Sequence, residues 1–234
     1  MTDARDVTAH LVEQWSAMND VRSPRRAALR RLADAGRLLI ERMASTDLDD
    51  DEAIERAARR IEAVAAELDG PGRAREYRGF AEAANAGGDP HAHFDHSPVI
   101  GVANPIAPQS RIELIDERSI AMHVRFGAAY EGPPGSVHGG MLAAAFDELL
   151  GMTQSLSGQP GMTGTLSIRY RRPTPLHHDL RFVGRLVGVE GRKIRTAAEC
   201  YAGDDVTAEA EGVFISVDFA ALAQLRDARD AQPG

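Results

Sequence analysis

The sequence predicts an α+β fold, a mainly antiparallel sheet wrapped around one central helix, with an N-terminal helical extension. Three observations carry that prediction. Apolar residues recur at helical spacing up to about residue 70 and at strand spacing from about Val99 onward. One long non-strand segment, Gly139 to about Leu156, interrupts the strands, and it is apolar nearly all round, with Asp147 and Glu148 as its only charges. A helix hydrophobic on every side is an enclosed one. Short turn signals join most of the remaining strands, which suits antiparallel neighbours.

The elements follow in chain order. A weak amphipathic segment places Leu11, Val12 and Trp15 on one side. Ser23-Pro24 then sets a capping residue before a proline at the first helical position, and Leu29, Leu32, Gly36, Leu39, Ile40 and Met43 form the stripe of the helix that follows. The acidic residues Asp47 and Asp49–Glu52 suit the positive end of a second helix, whose stripe is Ile54, Ala57, Ala58, Ile61, Val64 and Leu68 and whose stop is Gly70-Pro71. No cluster of His, Cys or paired carboxylates marks this part for chemistry, so it reads as a packing or assembly unit. Ala86-Gly87-Gly88-Asp89-Pro90 is the expected linker. Residues 1–90 are thus a helical extension and linker, residues 91–218 the sheet-and-helix domain, and residues 219–234 a short terminal helix, Phe219–Arg229, with a tail.

Within the domain, Ile112/Leu114 and Ile120/Met122/Val124/Phe126 alternate with polar residues around a turn at Asp116-Glu117. Leu166/Ile168/Tyr170, Leu180–Val189, Ile194–Tyr201 and Val206–Val217 read as four more strands, with Glu190-Gly191 as a hairpin turn.

Composition narrows the functional classes. The 234 residues carry 27 Lys+Arg against 35 Asp+Glu, a formal charge of −8. Nucleic acid and anionic membrane surfaces are therefore unsuitable partners, since affinity for both rests on a basic footprint. One cysteine, Cys200, excludes an intrachain disulfide framework and a multi-cysteine zinc site. The first residues, Met1-Thr2-Asp3-Ala4-Arg5-Asp6, place acids where a signal peptide would be basic, so the expected location is cytoplasmic. The uncharged stretch 149–168 is too rich in Gly, Ser, Thr and Gln to span a membrane.

The central helix supplies the chemistry. Pro133-Pro134-Gly135-Ser136-Val137-His138-Gly139-Gly140 leads into it, so its first N–H groups lack helical partners and two of them lack side chains. Such a terminus stabilises an anion or a developing oxyanion. Two turns on, Asp147 sits among Met, Leu, Ala and Phe. A carboxylate there costs several kcal/mol unless it is hydrogen-bonded or reaches water.

His138-Gly139-Gly140, then Asp147, then Thr163, followed by Thr165-Leu166-Ser167-Ile168-Arg169-Tyr170-Arg171-Arg172-Pro173-Thr174-Pro175-Leu176, resembles the hotdog-fold acyl-CoA thioesterases of the phenylacetate-degradation (PaaI-like) type. It is most similar to the human thioesterase superfamily members that cleave fatty acyl-CoA. The resemblance spans about Ser97 to Asp218, roughly half the chain. It implies a hotdog fold working as a homodimer or a dimer of dimers, with active sites at the subunit interface and no metal or cofactor. Carried over by position, Asp147 is the catalytic carboxylate, as nucleophile or general base. Gly139 polarises the thioester carbonyl with His138 beside it, and Thr163 orients the carboxylate or the water. Relatives with an asparagine upstream of the histidine differ from this chain, which has Glu131-Gly132-Pro133 there.

Between Arg169 and Arg195 lie eight basic residues and two acidic ones, a local excess of six positive charges. Coenzyme A is rich in phosphate, and guanidinium forks suit phosphate. The resemblance places Arg169, Arg171, Arg181, Arg192 and Lys193 on the CoA moiety. Uninterrupted strand alternation would put Thr163, Thr165, Ser167, Arg169 and Arg171 on one face, and Leu166, Ile168 and Tyr170 on the other.

Other constellations carry less. His91, His93 and Asp95 lack a fourth ligand, so no metal is expected. Glu148 is rotated about 100° from Asp147 and is expected to be structural, pairing with an arginine. The expected activity is hydrolysis of acyl-CoA to free acid and CoA. The alternative from another class is a non-catalytic acyl-CoA-binding regulatory module, for which a carboxylate beside the thioester would have no use.

Overall fold

A computed structural model of the chain describes residues 23–69, 94–159 and 161–217. The expected helix around Leu11, Val12 and Trp15, the linker before Pro90, His91, His93 and the helix Phe219–Arg229 lie outside the described residues.

Two helices come first, α1 (Pro24–Ser45) and α2 (Asp51–Leu68). Both start as the sequence predicts. The Ser23 hydroxyl accepts from Arg26 N–H at 3.1 Å, and the Asp50 carboxylate accepts from Ala53 N–H at 3.0 Å. Their apolar stripes behave differently from expectation. Leu32, Leu39 and Met43 of α1 are exposed, and no residue of α2 is buried. The helix buries Arg26 and Ala33, and the contacts that hold it are largely polar. Arg26, whose guanidinium grips both oxygens of Asp95, lies three turns before Arg37, which donates to the carbonyls of Gly101, Val102, Asn104 and Ala107. These arginines satisfy the acceptors of an irregular segment that has no ladder of its own. Gly36 permits the approach, because a Cβ there would lie 2.8 Å from Pro105 Cβ.

Six strands form one antiparallel sheet: β1 (Gln109–Asp116), β2 (Ser119–Arg125), β3 (Gly161–Tyr170), β4 (Leu180–Glu190), β5 (Lys193–Ala202) and β6 (Asp205–Ser216), in spatial order β1-β2-β4-β5-β6-β3. The central helix α3 (Gly139–Ser155) precedes β3, which crosses to the far edge beside β6. The turns sit one residue later than the sequence reading, since Asp116 pairs with Ser119 and Glu190 with Lys193. Gly191 takes φ 58° in the second, where a left-handed residue matches the strand twist.

The core lies between α3 and the inner face of the sheet. Phe126, Phe146, Phe182, Phe214, Met122, Leu149 and Leu150 are all but fully buried, each contributing roughly 1.5–3 kcal/mol by removal from water. Phe146 and Phe182 meet edge to face at 5.0 Å. Small residues seat the helix: a Cβ at Gly184 would collide with the Thr153 hydroxyl, and one at Gly212 would lie 2.8 Å from the Thr196 hydroxyl.

Candidate active site

The start of α3 is built by two crossing loops. Gly135, at φ 71°, turns the chain so that Ser136 N–H reaches Pro133 O and Gly132 N–H reaches Ser136 O. Val137 N–H donates to Thr174 O at 2.8 Å and Leu176 N–H to Gly135 O at 3.0 Å, tying this loop to the one that follows β3. His138 N–H donates to Tyr130 O at 2.8 Å. The His138 side chain is the helix cap: its Nδ1 accepts from Gly140 N–H at 3.0 Å. His138 O accepts from Met141 and Leu142. Gly139 N–H is left with no acceptor among the described residues. One free donor at the positive end of a 17-residue helix is a preformed site for a developing oxyanion. Tyr170 lies over it, its hydroxyl donating to Gly139 O at 2.8 Å, and a Cβ on Gly139 would stand 3.3 Å from that phenol.

Asp147 projects outward from α3 and is exposed. The Thr163 hydroxyl of β3 donates to its Oδ1 at 2.9 Å, leaving Oδ2 open. The carboxylate therefore meets solvent and a hydroxyl rather than the apolar core, which removes the cost that a buried charge would incur. Glu148, next along, points elsewhere. The Ser97 hydroxyl donates to its Oε2 at 3.2 Å, and among the described residues no arginine pairs with it, contrary to expectation. Burial chiefly, with the neighbouring Asp147 charge adding and the Ser97 hydrogen bond opposing, pushes its carboxyl up to about 7.

Thr163 and the arginines do not share a face. Thr163 pairs with Phe214 and Thr165 with Val213, so Gly164 is an extra residue in the strand. A bulge of one residue inverts the alternation beyond it. Thr163 consequently joins Leu166, Ile168 and Tyr170 on the inner side, beside α3, while Thr165, Ser167, Arg169 and Arg171 lie on the outer side. The basic window is extensively paired there. Arg171 meets Glu209 at 2.7 Å, Arg172 meets Asp205 at 2.7 Å, Arg185 meets Glu199 at 3.2 Å and Arg195 meets Glu190 at 3.4 Å. The Arg181 guanidinium stacks 4.8 Å from the centre of the Tyr201 ring, and Arg192 donates to Ser216 O. Arg169 and Lys193 have no ion-pair partner among the described residues.

Asp95, considered with the histidines as a metal ligand, is instead held by Arg26 at 2.7 Å. No cluster suited to a metal ion occurs among the described residues, nor does any helix long and apolar enough to cross a membrane. Burial pushes the Cys200 thiol up to about 12, which makes it a poor nucleophile. The sequence reading missed Tyr170 as a cover for Gly139 and Tyr130 as the acceptor behind His138. Helix-facing alternation from Leu166 pointed to the first; the second has no local signal.

Eight residues separate Gly139 from Asp147, about 12 Å along the helix axis at 1.5 Å per residue. The free amide and the carboxylate of one chain therefore cannot meet at one carbonyl carbon. Asp147 stands beside β3, an edge strand with one side unpaired among the described strands.

The thioesterase superfamily profile matches residues 134–209. A crystal structure of a thioesterase superfamily protein superposes with a TM-score of 0.71 at 34% sequence identity, covering 80% of this chain and 94% of that one. The acyl-coenzyme A thioesterase THEM4 of Bos taurus is 34% identical over 105 residues, 44% of this chain and 43% of its own. Acyl-coenzyme A thioesterase THEM5 of Homo sapiens is 33% identical over 93 residues, 39% of this chain and 38% of its own. The chain thus spans less than half the length of these two curated relatives. With the sheet wrapped on its central helix, as in hotdog folds, and a homologue matched over nearly its full length, the chain belongs to the thioesterase superfamily.

Proposed function

We propose that the protein hydrolyses the thioester of an acyl-coenzyme A to the free acid and CoA. The observation that carries this is the presence on one helix of an exposed carboxylate, Asp147, fixed by the Thr163 hydroxyl at 2.9 Å, and of a helix-terminal amide, Gly139, with no acceptor among the described residues. A thioester is already activated, so these two groups suffice. Asp147 takes a proton from water as the water oxygen bonds the carbonyl carbon, and Gly139 N–H holds the oxyanion. The C–S bond then breaks, and the proton on Asp147 passes to the departing CoA sulfur. Two-fold pairing of a second copy along β3 brings the partner's Gly139 to Asp147, which resolves the 12 Å separation along the helix. Arg169 and Lys193, which have no ion-pair partner among the described residues, supply phosphate recognition together with Arg171, Arg181 and Arg192.

Thiol release from a panel of acyl-CoAs tests the reaction. Wild type turns over and Asp147→Asn does not, while still binding CoA; equal slow rates for both proteins would sink the reading in favour of a binding module. A complementation test addresses the shared site. Gly139→Pro removes the amide donor at a first helical position, after a residue already extended at φ −60°, ψ 133°, with the Tyr170 phenol shifting by a few tenths of an ångström to admit the ring. An equal mixture of Gly139→Pro and Asp147→Asn chains should recover about a quarter of wild-type activity, because each mixed dimer keeps one intact site. No recovery after confirmed subunit exchange would place both groups in one chain's site.

A further inference from the structure

We propose that Glu41, on the N-terminal helix α1, is a positioning residue for the Gly139 amide. The inference rests on the reading of Gly139 as the oxyanion donor. The 3-10 turn Ala128–Tyr130 begins at Gly127, which has no side chain to cap it. Glu41 does so from another element, its Oε2 accepting from Ala128 N–H at 2.9 Å. Gly127 must be glycine for this to happen, since a Cβ there would collide with the Glu41 carboxylate. The other carboxylate oxygen faces His177 Nδ1 at 3.8 Å. His177 is held at φ 59° with its N–H on Phe126 O at 2.8 Å, so both loops flanking the start of α3 converge on this one side chain.

From the turn the contacts run directly to the site. Tyr130 is pinned at its hydroxyl, which donates to Ile106 O at 2.7 Å, and at its ring, which meets Phe126 edge to face at 5.4 Å. Its carbonyl accepts from His138 N–H at 2.8 Å, and His138 caps α3 through Gly140 N–H. Gly139 lies between those two bonds. Glu41 thereby fixes a chain of rigid contacts, Ala128 to Tyr130 to His138, that ends at the amide. An oxyanion donor must be aimed before the reaction, and an error near 1 Å can cost on the order of a hundredfold in rate. The extension thus completes the active site from behind without touching substrate.

Three variants test this, with Asp34→Ala as the control: Asp34 lies on the same helix and pairs with Arg37 at 2.7 Å, outside the chain of contacts. Glu41→Ala should lower kcat about tenfold with KM changed less than about twofold, and should speed exchange of the hydrogen-bonded amides on either side of the site, Gly140 and Met141, about tenfold. Glu41→Gln, whose amide oxygen still accepts from Ala128, should recover most of both effects. Asp34→Ala should lower the melting temperature without moving either. A fall in melting temperature for Glu41→Ala with kcat and exchange unchanged would overturn the proposal, as would equal rate losses in Asp34→Ala. If the wild type hydrolyses no acyl-CoA, the proposed reaction fails, while the exchange measurement still decides the role of Glu41.

Discussion

Replacing Glu148 by glutamine should make the protein more stable at alkaline pH and remove a specific part of its pH dependence. The Glu148 carboxyl is raised from 4.5 to about 7, chiefly by burial. Below about pH 4.5 it is protonated in both the folded and unfolded chains. As pH rises from there, the unfolded chain releases the proton first, so folded stability falls, and the loss is complete once the pH has passed through about 7. A difference of about 2.5 units at 1.36 kcal/mol each gives a loss of about 3 kcal/mol. That is a large share of a typical stability of 5–15 kcal/mol and amounts to roughly 6–12 °C in melting temperature. Glutamine keeps an oxygen for the Ser97 hydroxyl and has no charge to bury. Urea midpoints for both proteins between pH 4.5 and 8.5 give the difference directly, since the other titrations cancel between them. The gap should open by about 3 kcal/mol with rising pH, in favour of Glu148→Gln. Parallel curves would refute the burial argument. Asp147→Asn should move the wild-type transition to lower pH, because the Asp147 charge helps hold the Glu148 proton.

Other perturbations follow from single contacts. Thr163→Val keeps the shape but removes the donor to Asp147, and steady-state rates should show kcat down about tenfold with little change in KM, the lower range for a hydrogen bond to a charged group because this one is exposed. Asp95→Ala removes a carboxylate that accepts from the Arg26 guanidinium through both oxygens, and denaturant titration should register a loss of about 1.5–3 kcal/mol, the range for hydrogen bonds to charged groups. Arg169→Ala should raise KM for acyl-CoA several-fold with kcat nearly unchanged, and more than Arg171→Ala, since Arg171 is already committed to Glu209; a pure kcat effect would contradict a role in binding CoA. Deleting Gly164 should cost at least as much kcat as Thr163→Val while β3 persists as an edge strand, because closing the bulge turns Thr163 to the outer side.

Much of the fold was legible because local pattern and global burial agree. The stretch 139–155 is apolar nearly all round and packs its buried residues on the sheet, though it leaves one side, with Gly140 and Asp147, exposed where full enclosure was expected; the alternating runs are strands with one face on the core. The path of β3 to the far edge was not legible, since no residue within it states which neighbour it will take. The docking of α1 escaped for a physical reason as well. Its apolar stripe led the eye, but Arg26, Arg37 and Glu41 hold it, and their partners are 64 to 87 positions away. A backbone carbonyl needing a donor leaves no trace in its own side chain.

The site divides along the same line. Gly139 and Asp147 could be singled out from the helix itself, a bare N-terminus and a lone carboxylate in an apolar run, whereas His138 and Thr163 were named only through the resemblance to the hotdog thioesterases. The arrangement of the four was legible in neither, and the error lay in a single residue. Alternation through Thr163-Gly164-Thr165 joins the carboxylate's partner to the arginines in one polar face; the bulge at Gly164 separates them, sending the hydroxyl inward to Asp147 and the cations outward. The separation has a chemical rationale. A carboxylate that must accept a proton gains nothing from guanidinium groups that would hold it ionised and occupy its free oxygen. Among the described residues Asp147 is touched by the neutral Thr163 hydroxyl and by no cation, and the arginines stand clear on the other side of the strand. The helix imposes the remaining constraint. An amide donor at its first residue and a carboxylate two turns later lie about 12 Å apart, so under the proposed mechanism one α3 offers half of each of two sites. In the proposed dimer a second α3 completes them along the edge of β3 beside Asp147, which no described strand pairs.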